Sequence, residues 1–294
     1  MPTGFGYLAV LEGFQTYPAE IVVALAAVIG LLVGSFLNVV IYRLPLQMQN
    51  AWRSDALDFL GHSPEPAETV NLWTPASRCP SCKSPIKPWQ NIPVFSYLLL
   101  RGRCPHCGEP ISIQYPIVEL LSGVICAGVI YYFGLNAAAL LIIVFSWILI
   151  ALTGIDLEHQ LLPDSLTIPL MWLGLLVNIS GVFTDLTSAV IGAAAGYLAL
   201  WSIYWLFKLV TGKEGMGHGD FKLLAALGAW VGWQQLPLII VMSSLVGAIL
   251  GTVILLAQRK GRGNPIAFGP YLAIAGWIAL LAGDRISAAY LNTF

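Results

Sequence analysis

Residues 137–164 read AAALLIIVFSWILIALTGIDLEHQLLPD. The first nineteen of them, Ala137 to Ile155, contain no charged side chain, and Asp156 follows immediately. An α-helix of about 20 apolar residues is long enough to cross a hydrocarbon core of about 30 Å. The stretch therefore predicts a membrane-spanning helix with a carboxylate at its end.

The composition of the whole chain is typical of a membrane protein. Hydrophobic residues make up 57% of the 294 positions and charged residues only 10%, whereas soluble domains carry about 25% charged residues. A soluble surface of this size would need more charge, so we expect the chain to lie in a lipid bilayer. The formal net charge of −1 and the lack of a basic stripe give no indication of nucleic-acid binding.

Eight apolar segments predict an all-α, polytopic membrane protein with about eight transmembrane helices. They cover residues 21–41, 116–133, 137–155, 165–181, 188–209, 221–232, 236–257 and 267–283. The segment 221–232 is too short to cross by itself, but Trp230, Trp233 and Pro237 predict an interfacial turn after it. No Lys or Arg precedes Arg43, so the first segment lacks the basic start of a signal peptide and is expected to remain as a span.

The basic residues orient this arrangement. With eight spans, the loops at 42–115, 156–164, 211–220 and 258–264 lie on one side of the membrane. Thirteen of the fourteen Lys and Arg residues lie in or beside these loops. By the positive-inside rule that side is cytoplasmic, and both termini are expected on the opposite side.

Small residues at a spacing of four let membrane helices approach closely. Pairs with this spacing in the apolar segments include Gly30 and Gly34, Gly192 and Gly196, and Gly247 and Gly251. We predict close helix packing at each pair.

Two aspartates at the ends of apolar segments are candidates for catalysis. Asp156 ends the stretch quoted above, and Asp220 ends the stretch GMGHGD (215–220), just before segment 221–232. Both are expected at the cytoplasmic membrane edge, although 64 residues separate them. Peptide hydrolysis needs an ionised carboxylate to activate water and a protonated carboxyl group to polarise the scissile carbonyl. Two close carboxylates can fill both roles because they share a proton.

The glycines before Asp220 suit such a site. Gly217 and Gly219 have no Cβ, so an extended substrate backbone can approach them closely. Glycine-rich loops also cradle phosphates, but this stretch lacks the Lys-Ser/Thr pair of a P-loop.

Each acidic residue also has a simpler explanation. A lone Asp at a helix boundary is commonly a cap or a solvated loop residue. For Asp164, which follows Pro163, an N-cap role explains the residue at least as well as chemistry does. Glu158, His159, Glu214 and His218 are expected to face water.

Four of the five cysteines form the pattern Cys-x₂-Cys-x₂₁-Cys-x₂-Cys, at Cys79, Cys82, Cys104 and Cys107. This spacing is close to that of zinc ribbons, and four thiolates make a closed, structural site. In a cytoplasmic loop a metal is favoured over disulfides. The alternatives are that His106 replaces a neighbouring cysteine as ligand, or that the four thiols are free.

Several separate motifs resemble the type IV prepilin leader peptidases, which are membrane aspartyl proteases with a Gly-x-Gly-Asp motif. The motifs are GSFLNVVIYRLP (34–45), the four cysteines, WQNIPVFSY (89–97), YPIVE (115–119), residues 156–164, residues 215–222 and FGPY (268–271). The resemblance covers nearly the whole chain. Ala267 departs from it, because relatives often carry proline there.

The resemblance implies an enzyme of the bacterial inner membrane. Such enzymes cut the basic leader from type IV prepilins and from type II secretion pseudopilins on the cytoplasmic side, and their catalytic aspartates correspond to Asp156 and Asp220. Larger members then N-methylate the new terminus with S-adenosylmethionine, an activity associated with the first cytoplasmic loop. This chain retains that loop, so a bifunctional enzyme is expected.

The resemblance also implies a division of the chain. Residues 1–41 would form the periplasmic N-terminus and first span, and residues 42–115 a zinc-binding cytoplasmic domain associated with methylation. Residues 116–294 would form the peptidase domain. No Gly-x-Gly-x-x-Gly fingerprint marks a methyl-donor site, and neither the particular pilins nor the oligomeric state follows from the sequence.

Two other functions are compatible with parts of the sequence. An ion-coupled transporter is the first alternative and would use the same acidic residues, although transporters carry such residues in the middle of spans. A metal-sensing scaffold would use the cysteine loop but would leave the aspartates unexplained.

Overall fold

The computed structural model describes residues 18–62, 70–258 and 267–292. It divides into an N-terminal unit that includes residues 18–151 and a C-terminal unit that begins at Leu152. The regular structure of the described residues is helical, and β-structure is limited to two isolated bridges. The predicted all-α class is therefore confirmed. The boundaries predicted at residues 41 and 115 stay a prediction.

Among its described residues, the N-terminal unit contains three complete α-helices and most of a fourth. They are α1 (Ala19–Phe59), α2 (Phe95–Leu99), α3 (Gln114–Phe133) and the first part of α4 (Ala137–His159). The four cysteines lie in the irregular segment between α1 and α3. This order places the cysteine segment between the first two long apolar helices, as predicted.

Helix α1 is much longer than the predicted first span. It passes Ile41 and Pro45 without a break and ends at Phe59, which gives 41 residues and a length of about 60 Å. The prediction ended the helix where polar residues begin. Polarity limits a membrane span but not a helix, and residues 46–51 contain several good helix formers.

Glycines bring α1 against α3. A methyl group added at Gly30 would lie 2.7 Å from the carbonyl oxygen of Ser122, and one added at Gly34 would lie 2.7 Å from the Cα of Glu119. The Ser122 hydroxyl donates to the carbonyl oxygen of Gly30 at 2.5 Å, and Trp147 Nε1 donates to that hydroxyl at 2.9 Å. The first predicted glycine pair is therefore a helix contact.

The C-terminal unit contains the end of α4 and five further helices. They are α5 (Asp164–Asn178), α6 (Leu186–Thr211), α7 (His218–Val231), α8 (Leu236–Gln258) and α9 (Gly269–Leu291). A 3₁₀ turn at Trp233–Gln235 joins α7 to α8, which confirms the predicted turn. The predicted loop at 258–264 lies almost wholly outside the described residues, as do both chain ends.

Helix α7 is the core of this unit. Every residue in Asp220–Val231 except Lys222 is buried, and α5, α6 and α9 pack around the helix. Trp230 Nε1 donates to a main-chain carbonyl of α5 at 2.8 Å, and Asn178 donates to two carbonyls of the last turn of α7. Protein therefore surrounds α7 and holds it in place at its C-terminal end.

Six of the described helical segments are long and apolar enough to cross a membrane. They cover residues 19–59, 114–133, 137–159, 186–211, 233–250 and 269–290. Helix α5 has only 15 residues, and α7 has 14, or about 21 Å against a core of about 30 Å. The helices support a polytopic membrane protein, and a count of eight spans stays a prediction.

Glycines also bring α6 onto α7. A methyl group at Gly196 would lie 2.6 Å from the carbonyl oxygen of Leu224, and one at Gly192 would overlap the carbonyl group of Gly228. The second predicted pair is therefore a helix contact. In the third pair, a methyl group at Gly247 would lie 3.1 Å from the ring of Tyr271.

Replacement of Gly192 by leucine is expected to lower the thermal unfolding midpoint of the detergent-solubilised protein. Its neighbour is backbone, which cannot rotate away, and overpacking costs about 1–3 kcal/mol or more. Gly128→Leu is the matched control, because nothing lies within 4 Å of a methyl group added there. Equal thermal unfolding midpoints for the two variants would contradict the close contact between α6 and α7.

Candidate functional site

Asp156 and Asp220 lie together in the C-terminal unit. Asp156 occupies the last turn of α4, and Asp220 occupies the first turn of α7. Their side chains are 5% and 7% exposed, and the two carboxyl groups are close enough to interact electrostatically. The fold thus brings together two buried acids that are 64 residues apart in the sequence.

The backbone departs from helical geometry close to each aspartate, so both aspartates lie at helix ends. Gln160 has a φ of 54°, and Pro163 precedes α5, so α4 ends within one turn of Asp156. Gly217 has an extended backbone, with φ −78° and ψ 148°, and is the N-cap residue of α7. Asp220 therefore falls three residues into the helix, with its carboxyl group beside the loop.

Gly269, the first residue of α9, contacts Asp156 directly. Its amide donates to Asp156 Oδ2 at 2.9 Å. A methyl group added at Gly269 would lie 2.6 Å from the same oxygen, so a side chain there would displace the carboxyl group. The motif at 268–271 carried no predicted role, although a glycine before a proline at the start of an apolar segment was a signal that could have suggested one.

Leu162 links the glycines beside the two aspartates. A methyl group at Gly219 would lie 2.7 Å from Leu162 Cβ, and one at Gly269 would lie 3.1 Å from Leu162 Cδ2. At Gly217 the nearest atom to an added methyl group is Asp220 Oδ2, at 3.7 Å, which is an ordinary contact. Gly219 is therefore needed for packing within the protein, whereas Gly217 borders open space next to Asp220.

Asp164 forms an ion pair rather than a cap. Lys222 Nζ donates to both of its carboxylate oxygens at 2.7 Å. The N-cap residue of α5 is Pro163, and no side chain caps this helix, so the N-cap explanation of Asp164 is wrong. The pair is largely exposed and joins the first turns of α5 and α7, a role for Lys222 that the sequence did not suggest.

The other polar groups that were expected to face water are accessible to it. Glu158, Glu214 and His218 are exposed, and His159 is partly exposed. Glu214 accepts a hydrogen bond from Lys208 at 2.9 Å, and the His218 ring packs on Tyr204 with 5.1 Å between centroids. These side chains have partners of their own and leave the two buried aspartates as the candidate reactive groups.

The four predicted metal ligands converge in the N-terminal unit. The sulfur atoms of Cys79, Cys82, Cys104 and Cys107 all lie within 4.8 Å of one another. Two of the distances are 3.9 Å, from Cys79 to Cys107, and 4.0 Å, from Cys82 to Cys104. Zinc with four bonds of about 2.3 Å in a tetrahedron needs sulfur atoms about 3.8 Å apart. The donor set and its spacing therefore fit zinc.

Two similar turns present these cysteines. The amide of Cys79 donates to the carbonyl of Ser84 at 2.9 Å, and the amide of Cys104 donates to that of Glu109 at 2.8 Å. Hydrogen bonds from the Ser84 side chain and backbone lower the pKa of Cys82 to about 6. This thiol is thus largely ionised at neutral pH, and the thiolate is the form that binds metal.

Two family models match the chain. The bacterial peptidase A24 N-terminal domain matches residues 28–133, and the type IV leader peptidase family matches residues 143–252. The first match contains the four cysteines, and the second contains both aspartates.

Curated relatives cover nearly all of the chain. A prepilin leader peptidase/N-methyltransferase of Stutzerimonas stutzeri is 59% identical over 91% of this chain and 93% of its own length. The enzyme of the same name from Pseudomonas aeruginosa is 53% identical over 97% of this chain and 98% of its own length. The one from Neisseria gonorrhoeae is 50% identical over 90% of this chain and 92% of its own length. No solved structure matches the chain. The motif resemblance is confirmed at this identity and coverage, and the chain belongs to the type IV leader peptidase family.

Proposed function

We propose that this chain is a bifunctional membrane enzyme. It removes the leader peptide of type IV prepilins and type II secretion pseudopilins, and then N-methylates the new N-terminal residue. The observation that carries the proposal is the pairing of Asp156 and Asp220, two buried carboxyl groups from separate helices. The curated relatives, which are named prepilin leader peptidase/N-methyltransferases, support both activities.

Asp156 and Asp220 act on water as a pair. One carboxylate removes a proton from a water molecule, whose oxygen attacks the scissile carbonyl carbon. The other carboxyl group is protonated and donates a hydrogen bond to the carbonyl oxygen as negative charge develops there. A proton then passes to the leaving nitrogen, and the C–N bond breaks. Burial favours this sharing, because two like charges close together in a low-dielectric site disfavour double ionisation.

The glycines beside Asp220 have separate roles. The open space next to Gly217 accommodates the extended backbone of the substrate around its scissile bond. Gly219 supports the site by letting Leu162 pack closely.

We place the enzyme in the bacterial inner membrane as a multi-pass protein with both termini in the periplasm. The excess of Lys and Arg in or beside the loops at 42–115, 211–220 and 258–264 supports a cytoplasmic active site. The apolar helix of a prepilin lies in the bilayer, and its basic leader lies in the cytoplasm. The scissile bond is then at the membrane edge, where the helix ends that carry the aspartates are expected.

Residues 42–115 serve methylation, and the two aspartates within residues 116–294 serve cleavage. Bound S-adenosylmethionine would supply the methyl group that is transferred to the new N-terminal amine. The four cysteines hold a structural zinc ion, because four thiolates leave no open coordination position for water or substrate. The zinc therefore maintains the loop and takes no part in the chemistry.

The transporter alternative finds no support. Both aspartates lie at helix ends, whereas a transporter carries such groups in the middle of its spans. The relatives are named as peptidases and methyltransferases.

Gly269→Ala is expected to slow prepilin cleavage by about 10- to 100-fold, because the added methyl group displaces the Asp156 carboxyl group and misplaced catalytic groups lose rate steeply. Initial cleavage rates of the purified protein measure this. Gly128→Ala on α3 is the control, since nothing lies within 4 Å of a methyl group added there. Unchanged cleavage by Gly269→Ala would show that the contact does not position Asp156.

Mass spectrometry of a prepilin incubated with the pure protein tests both activities at once. Without S-adenosylmethionine, we expect a mass loss equal to the leader peptide. With it, the mature chain also gains one methyl group. An intact prepilin in both samples would contradict the proposed cleavage, and leader loss without methyl gain would contradict the methyltransferase half.

A further inference from the structure

The N-terminal unit contains a cavity of about 360 Å³. Residues of α1, the start of α3 and the cysteine-bearing segment line it, among them Asn38, Val39, Arg43, Tyr97 and Glu119. This volume lies in the range of small-molecule sites, which is about 300–1,000 Å³. The cleavage mechanism makes no use of this space.

Glu119 is a buried carboxylate on the cavity wall. Its side chain is 7% exposed. Oε2 accepts a hydrogen bond from the amide of Val94 at 2.7 Å, and Val94 has a φ of 60°, which is costly for a β-branched residue. Within residues 18–62, 70–258 and 267–292, no basic side chain forms an ion pair with Glu119. A buried charge normally has a partner, so a cationic ligand would complete this site.

Arg43 supplies the opposite charge on the same cavity. It is buried, and its guanidinium group donates to the carbonyl oxygens of Asn71 at 2.9 Å and Pro75 at 2.7 Å. A guanidinium group has five N–H donors, so others are left for a ligand. Asn38 also holds the wall together by donating to the carbonyl oxygen of Tyr115 at 3.1 Å. A rigid cavity with a carboxylate and a guanidinium group that do not pair suits a zwitterion.

The cysteine cluster forms part of the same wall. Cys79 and Cys104, with the prolines that follow them, line the cavity. The tyrosine rings at 42, 97 and 115 also border it, and such rings attract cations through their faces. Loss of the metal would therefore deform the cavity, which gives a structural zinc a direct connection with a ligand site.

We infer that this cavity binds S-adenosylmethionine, with the cationic part of its methionine end facing Glu119 and its carboxylate facing Arg43. The inference rests on the proposed methyltransferase activity and names the site for the methyl donor. Glu119 and Arg43 are residues of this site and not of the peptidase pair. The aromatic and apolar walls take the adenosine part.

Calorimetric titration of the full-length, zinc-loaded protein with S-adenosylmethionine tests the site without any measurement of activity. Glu119→Gln is expected to weaken binding by about 10- to 100-fold, as for a lost hydrogen bond to a charged group. Glu20→Gln is the matched control, because this exposed glutamate of α1 does not line the cavity. It should bind as the wild type does.

Val39→Phe is a second variant that keeps the carboxylate but fills the cavity. It is expected to weaken binding at least about 10-fold, through steric exclusion. Zinc content and the melting temperature check that each variant is folded, and Val39→Phe decides the matter if Glu119→Gln fails this check. Wild-type affinity in the folded pocket variants would overturn the assignment.

Two other results would also overturn it in distinguishable ways. In the first, a titration with a mature N-terminal peptide shows weaker binding to Glu119→Gln while S-adenosylmethionine binds normally. The cation that faces Glu119 is then the free amine of the cleaved substrate. If the wild type neither binds S-adenosylmethionine nor transfers its methyl group, the proposed methyltransferase function itself fails.

Discussion

Purified Asp156→Asn and Asp220→Asn variants are each expected to cleave a prepilin at least about 10³-fold more slowly than the wild type. An amide has nearly the same size as a carboxyl group but can neither take a proton from water nor share one with its neighbour. The loss arises because each variant leaves one acid without its partner. Initial rates of leader removal, followed by mass spectrometry, measure the effect.

Asp164→Asn is the matched control for these variants. Asp164 is exposed and pairs with Lys222, and exposed ion pairs contribute about 1 kcal/mol or less to stability. We expect its cleavage rate to stay within about threefold of the wild type. The Asp156→Asn and Asp220→Asn variants should still methylate a mature, already cleaved peptide. This retained activity would show that both variants are folded. Full cleavage by either Asp156→Asn or Asp220→Asn would remove that residue from the pair.

Removal of zinc is expected to unfold the cysteine-bearing segment and to abolish methylation, while prepilin cleavage continues. Structural zinc binds with about 10–16 kcal/mol in small domains, which is as large as the whole stability of a typical domain, about 5–15 kcal/mol. Cys82→Ser removes one of four ligands and should reduce the zinc content from one ion per chain to nearly none. Metal analysis, limited proteolysis between α1 and α3, and the two activities measured separately test this.

Cys126→Ser provides the control for the cysteine variant. Cys126 is buried in α3, outside the cluster. The zinc content and protease resistance of the Cys126→Ser variant should therefore match those of the wild type. If the segment stays protease-resistant after chelation, the zinc does not hold it together. If every lesion of the cysteine segment also stops cleavage, the two activities do not have separate sites.

The helices were predictable because lipid imposes a strong constraint on sequence. A chain in hydrocarbon must satisfy its backbone hydrogen bonds internally, so long apolar runs become helices. The prediction for 137–155 corresponds to α4 at 137–159, and that for 188–209 corresponds to α6 at 186–211. Polarity marks where a chain leaves the membrane, however, and not where a helix stops. For this reason the predicted first span ended at Ile41, although helix α1 continues to Phe59.

The short segment at 221–232 shows that apolar sequence does not reveal whether a helix faces lipid or protein. An apolar helix can face lipid or other helices, and its composition does not distinguish these cases. In the structure α7 faces other helices, because Gly192, Gly196 and Gly174 let neighbouring helices approach it closely. Helix α7 thus positions Asp220 from within the protein.

The sequence by itself determined the residue types that can do chemistry and the places where they leave the membrane. Asp156 and Asp220 stood out because a charge at the end of an apolar run is costly, and the cysteines stood out because metal-ligand spacing is local. Only the tertiary structure decided which groups meet. Contacts over long separations, such as the hydrogen bond from the Gly269 amide to Asp156 or that from the Val94 amide to the buried Glu119, depend on how helices pack and leave no local pattern in the chain.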